Sequence, residues 1–196
     1  MRAFTKTAGI IIATGILFSV ALSPAQATTD TVDATVSAGN LTANGTTPKN
    51  MTGVALDGVS AKASTGTPAP WTITNARGTN AGWSLSVSAT DFVSAAGTVD
   101  TIARTLPAEN LTITPGVITA GTGSDPAPLA SPVVLPAAGQ TSATLVSTAT
   151  LGKGTYTLTP TFSLNIPANT FRSNFSAAVG STAVNPYVST ITFTIA

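Results

Sequence analysis

Seven carboxylates, eight cations and two tryptophans are the residues of this 196-residue chain with chemistry to offer. The carboxylates are Asp30, Asp33, Asp57, Asp91, Asp100, Glu109 and Asp125. Hydrolysis of a glycosidic bond would need two of them about 5–10 Å apart. No two fall in a recognisable frame, and they read as solvated loop charges. A calcium loop needs oxygens at alternate positions closed by a bidentate acid, which no segment supplies. Lys49, Lys62 and Lys153 stand among many serines, but no S-x-x-K string pairs them. A lysine–asparagine crosslink would need one of those lysines buried beside an acid. The chain has no His and no Cys, which removes zinc and haem ligation, Ser–His and Cys nucleophiles, and disulfides. Eight scattered cations do not make the basic face that neutralises phosphates, so nucleic acid is not a partner. No catalytic residue, metal site or cofactor is expected.

Aromatic groups remain. Trp83 opens the cleanest alternating run in the chain, Trp83-Ser84-Leu85-Ser86-Val87-Ser88. Period two puts Trp83, Leu85 and Val87 on one face of a strand and three serines on the other. A Trp at a regular inward position is more often core than a ligand platform. Trp71 follows Pro70 at the start of Trp71-Thr72-Ile73-Thr74, where core and exposed placements are both open.

The elements that must position these residues read as short strands between turns. Thirty-seven Thr favour pleated surface, and 17 Gly with 13 Pro favour turns. Residues 34–36 and the stretch around Leu41 are weak strand candidates, interrupted by Asn44-Gly45, a hairpin-turn dipeptide. Residues 75–82, with two Gly and two Asn, read as a hairpin loop joining the two Trp runs. Leu111-Thr112-Ile113-Thr114 repeats the alternation. Residues 115–139 hold five Pro and four Gly and read as an exposed excursion. Residues 144–151, 155–161 and the face formed by Phe162, Leu164 and Ile166 follow. Residues 187–195 put Ile191, Phe193 and Ile195 on one face and Thr190, Thr192 and Thr194 on the other. Residues 91–103 hold the one candidate helical turn. The expected fold is all-β: a single Ig-like, Greek-key β-sandwich.

Residues 1–27 read as an export signal. Arg2 and Lys6 precede the apolar run 8–22, Pro24 breaks it, and Ala25-Gln26-Ala27 suits a signal peptidase. Fifteen apolar residues span only about 22 Å as a helix, short of the roughly 30 Å hydrocarbon core. Cleavage after Ala27 would leave residues 28–196 with six cations and seven acids, so the net charge turns from +1 to −1. We expect a secreted protein without a membrane anchor after cleavage. A chain of this length buries roughly 70% of its unfolded surface, enough for a core without disulfides.

The string from Asn75 through Arg77, Gly78, Gly82, Trp83 and Leu85 to Val87 resembles the first signature, R-G-x-x-x-G-W-x-L, of the WxL-domain proteins of Gram-positive bacteria. An upstream A-x-V-x-x-G-x-L stretch at residues 34–41 and a second half rich in Thr, Ile and Pro also fit. The family's closing signature has a Tyr followed by a second W-x-L; here Tyr187 is present and the triplet is Phe193-Thr194-Ile195. The resemblance implies a wall-associated β domain that attaches non-covalently through peptidoglycan, often beside other surface proteins. It singles out Arg77, Trp83, Leu85, Tyr187 and Phe193 as candidate binding residues, and Trp71 joins them as an aromatic that could stack on glycan. Residues 106–110 and 135–139 look like sortase signals but are mid-chain, without the apolar segment and basic tail those need, which also points to non-covalent attachment. A different reading is a subunit of a surface filament or layer that assembles through strand edges. A third, a secreted wall-polymer hydrolase, has no assignable catalytic residues.

Overall fold

The computed structural model describes residues 32–96, 101–173 and 185–196. Ala25 and Ala27, with the export segment they would close, lie outside the described residues, as do Asp30 and Asp100. The compact unit is Val36–Ala196. In chain order its strands are β1 (Leu41–Ala43), β2 (Lys62–Gly66), β3 (Trp71–Asn75), β4 (Ala81–Ala89), β5 (Phe92–Ser94), β6 (Arg104–Leu106) and β7 (Leu111–Thr114). They continue as β8 (Thr119–Ala120), β9 (Leu129–Ala130), β10 (Val133–Val134), β11 (Ala143–Thr150), β12 (Gly154–Leu158), β13 (Thr161–Ile166) and β14 (Ile191–Ile195). A single 3₁₀ turn, Ala108–Asn110, precedes β7. The fold is all-β, with antiparallel sheets packed around one core, as the composition implies.

Three four-stranded sheets carry the structure, in the orders β1-β3-β12-β8, β10-β7-β13-β2 and β14-β4-β11-β9, with β5 and β6 as a separate pair. The first two are halves of one bent layer. The alternation of buried and exposed residues runs unbroken from Tyr156 through Leu158 and Pro160 to Phe162 and Leu164, so β12 and β13 are one strand bent at Thr159-Pro160. Partners on both sides absorb the bend with one extra residue each. Leu158 pairs with Trp71 and Phe162 with Gly66, so four residues, 67–70, stand against three. Thr157 pairs with Thr119 and Thr161 with Thr114, so 115–118 do the same on the other side. An extra residue on one strand of a pair is a β-bulge, which bends the sheet. Pro160 lacks an N–H and fits the place where the ladder is already interrupted.

The third sheet covers the inner face of this layer. Trp71, Ile73, Tyr156, Leu158, Leu111, Ile113, Phe162 and Leu164 come from the bent layer; Trp83, Leu85, Val87, Leu145 and Val146 come from the third sheet. All join one buried cluster. The period-two reading of the runs at Trp71, Trp83, Leu111, Phe162 and Ile191 matches the observed burial.

Five local expectations are not met among the described residues. Residues 75–82 are not a hairpin: β3 pairs with β1 and β12, whereas β4 pairs with β11 and β14. The segment arches from one layer to the other, because two apolar faces are better buried against each other than side by side on one sheet. Asn44-Gly45 is no hairpin either. The Asn44 N–H donates to Thr72 O at 3.1 Å and its Oδ1 accepts from Thr72 N–H, so the side chain stands in for the next rung of β1. Residues 115–139 are no free excursion, since β8, β9 and β10 are edge strands of all three sheets and Leu135 is fully buried. Within 91–103 the described residues hold strand β5, its Phe92 and Ser94 inward; residues 97–100 are outside the description. Residues 34–36 form no strand.

Candidate functional site

Two arches lie side by side at one end of the sandwich. Residues 75–82 lead from β3 to β4 and residues 150–154 lead from β11 to β12. Because Asn75 pairs with Gly154 and Ala81 with Thr150, the arches start and finish in register. Arg77 holds the first one closed. Its Nε donates to Asn75 Oδ1 at 3.1 Å, and its Nη2 donates to Ala81 O at 3.1 Å and Gly82 O at 2.9 Å. Asn75 is fully buried and uses both ends of its amide, with Nδ2 donating to Gly152 O at 2.9 Å. The Trp83 indole N–H donates to the same carbonyl at 2.9 Å. The buried polar groups of this corner are thus satisfied by one another. Gly82 is required by space, since a Cβ there would overlap Thr148 O and Ala149 O on β11.

Trp83 is 3% exposed and its ring lies 5.9 Å from that of Tyr156, which reaches it from the facing layer. Burial pushes the Tyr156 hydroxyl above its ordinary pKa, and the nearby Asp125 carboxylate adds to the effect. The hydroxyl lies 2.9 Å from Lys153 O and 3.2 Å from Asp125 O. Leu85, on the same face as Trp83, is buried beside Ile195, its partner on β14.

Trp71 lies in another part of the same core. It is 1% exposed, stands edge-on to Phe193 at 4.8 Å and to Phe162 at 6.2 Å, and donates its indole N–H to Thr46 O at 3.0 Å. Phe193 is half-buried on edge strand β14, and a Cβ on Gly45 would lie only 3.0 Å from its ring. The placement of Trp71, left open by the sequence, is in the core. Tyr187 packs against the same core. It is half-buried and donates its hydroxyl to Phe171 O at 3.0 Å; burial raises its pKa, with Arg104 opposing the shift. The Arg104 guanidinium sits 3.7 Å from the Phe171 ring centre, a cation–π contact.

Three of the described carboxylates, Asp57, Asp91 and Asp125, serve the backbone. Asp57 accepts from Val59 N–H and Ser60 N–H and pairs with Lys62 at 2.6 Å; the lysine and these donors hold its carboxyl far below the usual range. Asp91 caps the 3₁₀ turn by accepting from Ala108 N–H at 2.9 Å. Asp125 accepts from Lys153 N–H at 2.8 Å and lies 3.7 Å from its ammonium. Lys62 and Lys153 are both partly exposed and so lack the burial a crosslink needs. Among the described residues no three His, Cys, Asp or Glu come together where a metal could be held.

An open cavity of about 840 Å³ lies between residues 47–56 and the segment carrying Tyr187, floored by Phe92, Leu111 and Phe162. Among the described residues that line it there is no carboxylate. Sequence reasoning found Arg77, Trp83 and Leu85 but missed Asn75 and Gly152, which complete the same corner. Gly152 is 69 residues from Trp83 in sequence, and nothing local signals their meeting.

Among the described residues no helix is long and apolar enough to cross a membrane. No curated protein and no solved structure matches the chain. The family model of the WxL domain, a surface cell wall-binding domain, matches residues 35–196. That span contains the whole compact unit, both arches and all six candidate residues, and the chain belongs to the WxL family of surface cell wall-binding domains.

Proposed function

We infer that the protein is exported, stays outside the cell, and holds to the Gram-positive wall non-covalently through peptidoglycan without catalysing any change in it. The observation that carries this reading is the extent of the family match, which covers the entire compact unit. Chemistry supports it. The described carboxylates with known partners are tied to backbone amides or lysines, as structural groups are. A general acid needs its proton at hydrogen-bond reach of a substrate. The surface is built of hydroxyl and amide groups with few charges, which suits hydrogen bonding to neutral sugars. Other surface proteins are further partners on this reading.

Retention tests it. The chain without residues 1–27 is mixed with purified cell walls, sedimented and washed at physiological salt. Wall binding predicts that most of the protein sediments, while the soluble muropeptide products of the walls do not increase. Protein left in the supernatant would overturn the reading, and release of muropeptides would overturn its non-catalytic half.

A further inference from the structure

The bent layer turns an ordered threonine face outward. Trp71, Ile73, Tyr156 and Leu158 point into the core, so the residues between them point out. Residues paired across antiparallel strands share a face. Thr42 pairs with Thr74, which pairs with Thr155; Thr72 pairs with Thr157, which pairs with Thr119. Six threonines therefore stand in two ranks of three across the four strands β1, β3, β12 and β8. Strand geometry spaces them roughly 4.8 Å apart across the sheet and about 6.7 Å apart along it. The ladder between β3 and β12 runs through five consecutive pairs without interruption, so the ranks are regular. The face continues past the bend through Thr161 and Thr114.

Three further observations distinguish this face. None of the six hydroxyls is engaged in a hydrogen bond among the described residues. No Asp, Glu, Lys or Arg occupies an outward position of these four strands. On the opposite side of the sandwich, the ranks are broken by a register shift between Thr144 and Val146 on β11, and Ser86 Oγ is turned to Thr194 O.

We propose that this two-rank threonine face of β1, β3, β12 and β8 is the surface that lies on the wall polymer, and that its ligand is the neutral N-acetylated glycan strand. The inference rests on the wall-binding reading above and names the site for it. Each threonine offers a donor, an acceptor and a methyl group. A pyranose with acetamido and hydroxyl substituents offers the complementary set, polar at its edge and apolar on its C–H face. β-branching limits χ1 in a strand, so the hydroxyls are held in place before binding and little rotamer entropy is lost. Phosphate-linked anionic polymers would need Lys or Arg on the surface, and this face has neither.

The test uses three variants of residues 28–196 on walls with and without their anionic polymers. T72V/T74V/T157V removes three hydroxyls and keeps the branched shape; T72S/T74S/T157S keeps the hydroxyls. S86A/T192V/T194V does the same damage on the opposite face. Thermal melts establish that each is folded, and Thr157→Ala alone serves should the triple valine variant aggregate. The proposal expects the triple valine variant to bind about tenfold more weakly, the loss of one or two net hydrogen bonds. The serine and opposite-face variants should stay within about twofold of the unaltered chain. Unaltered protein that is not retained overturns the wall-binding reading itself. Unaltered protein that is retained, with the valine variant equally so, overturns the threonine face and leaves wall binding standing. Retention lost when anionic polymers are stripped overturns the neutral glycan as ligand.

Discussion

Trp83, the residue at the centre of the signature resemblance, is an interior group. Its ring is buried against Tyr156 and its N–H completes a carbonyl that Asn75 also uses. Arg77 spends its donors on Asn75, Ala81 and Gly82. Within this corner the signature's Arg, Gly and Trp are one fastening between two arches. Trp83→Ala would therefore remove a large apolar group and leave the Gly152 carbonyl one donor short. The expected loss is about 3–5 kcal/mol, read from urea denaturation, and Trp71→Ala should cost a similar amount. Any fall in wall retention for these variants should track the unfolded fraction. A folded Trp83→Ala chain with full stability but no retention would instead show an indole in contact with the ligand.

The layers depend on how individual strands bend and cross between sheets, and this is where the sequence is least readable. Period two is a local signal, and it found the inward faces at Trp71, Trp83, Leu111, Phe162 and Ile191. Pairing is not local. Among the described strands only β5 and β6 are both consecutive and paired, so a turn dipeptide such as Asn44-Gly45 or a Gly- and Asn-rich loop such as 75–82 says that the chain turns but not which strand it then meets. The same limit hid the threonine face. Each Thr-x-Thr pair was visible as the polar half of an alternation, but the ranks exist only once β1, β8 and β12 are placed beside β3. Bulges leave a clearer trace. Gly116 follows Pro115 opposite the bend, has φ +74°, and a Cβ there would lie 2.6 Å from Thr159 O. Gly78, with φ +68°, has open space around it. Gly78→Ala should cost only the left-handed backbone penalty, about 1–2 kcal/mol. Gly116→Ala adds a backbone clash to the same penalty, so it should be the more destabilising of the two by about 1 kcal/mol or more. Equal midpoints in urea for the two variants would show that the bend yields freely at Thr159.

At the scale of the whole molecule, four of the described cations are engaged locally. Lys62 and Lys153 lie against Asp57 and Asp125, Arg77 against backbone carbonyls, and Arg104 over Phe171. What the sandwich presents broadly is hydroxyl groups on both outer faces, as the serines of β4 and the threonines of β3 show. A protein that held the wall through its anionic polymers would gain by counterion release, and its affinity would fall steeply with salt. One that holds neutral sugar by hydrogen bonds and C–H contact has almost nothing for salt to screen. Between about 0.05 and 0.5 M sodium chloride the screening length drops from roughly 14 Å to about 4 Å, enough to separate the two cases. On the proposed reading, the bound fraction at fixed wall concentration should change by less than about twofold over that range. A tenfold loss across the same range would place the binding energy in the few cations, and would move the candidate surface from the threonine ranks to wherever those cations gather.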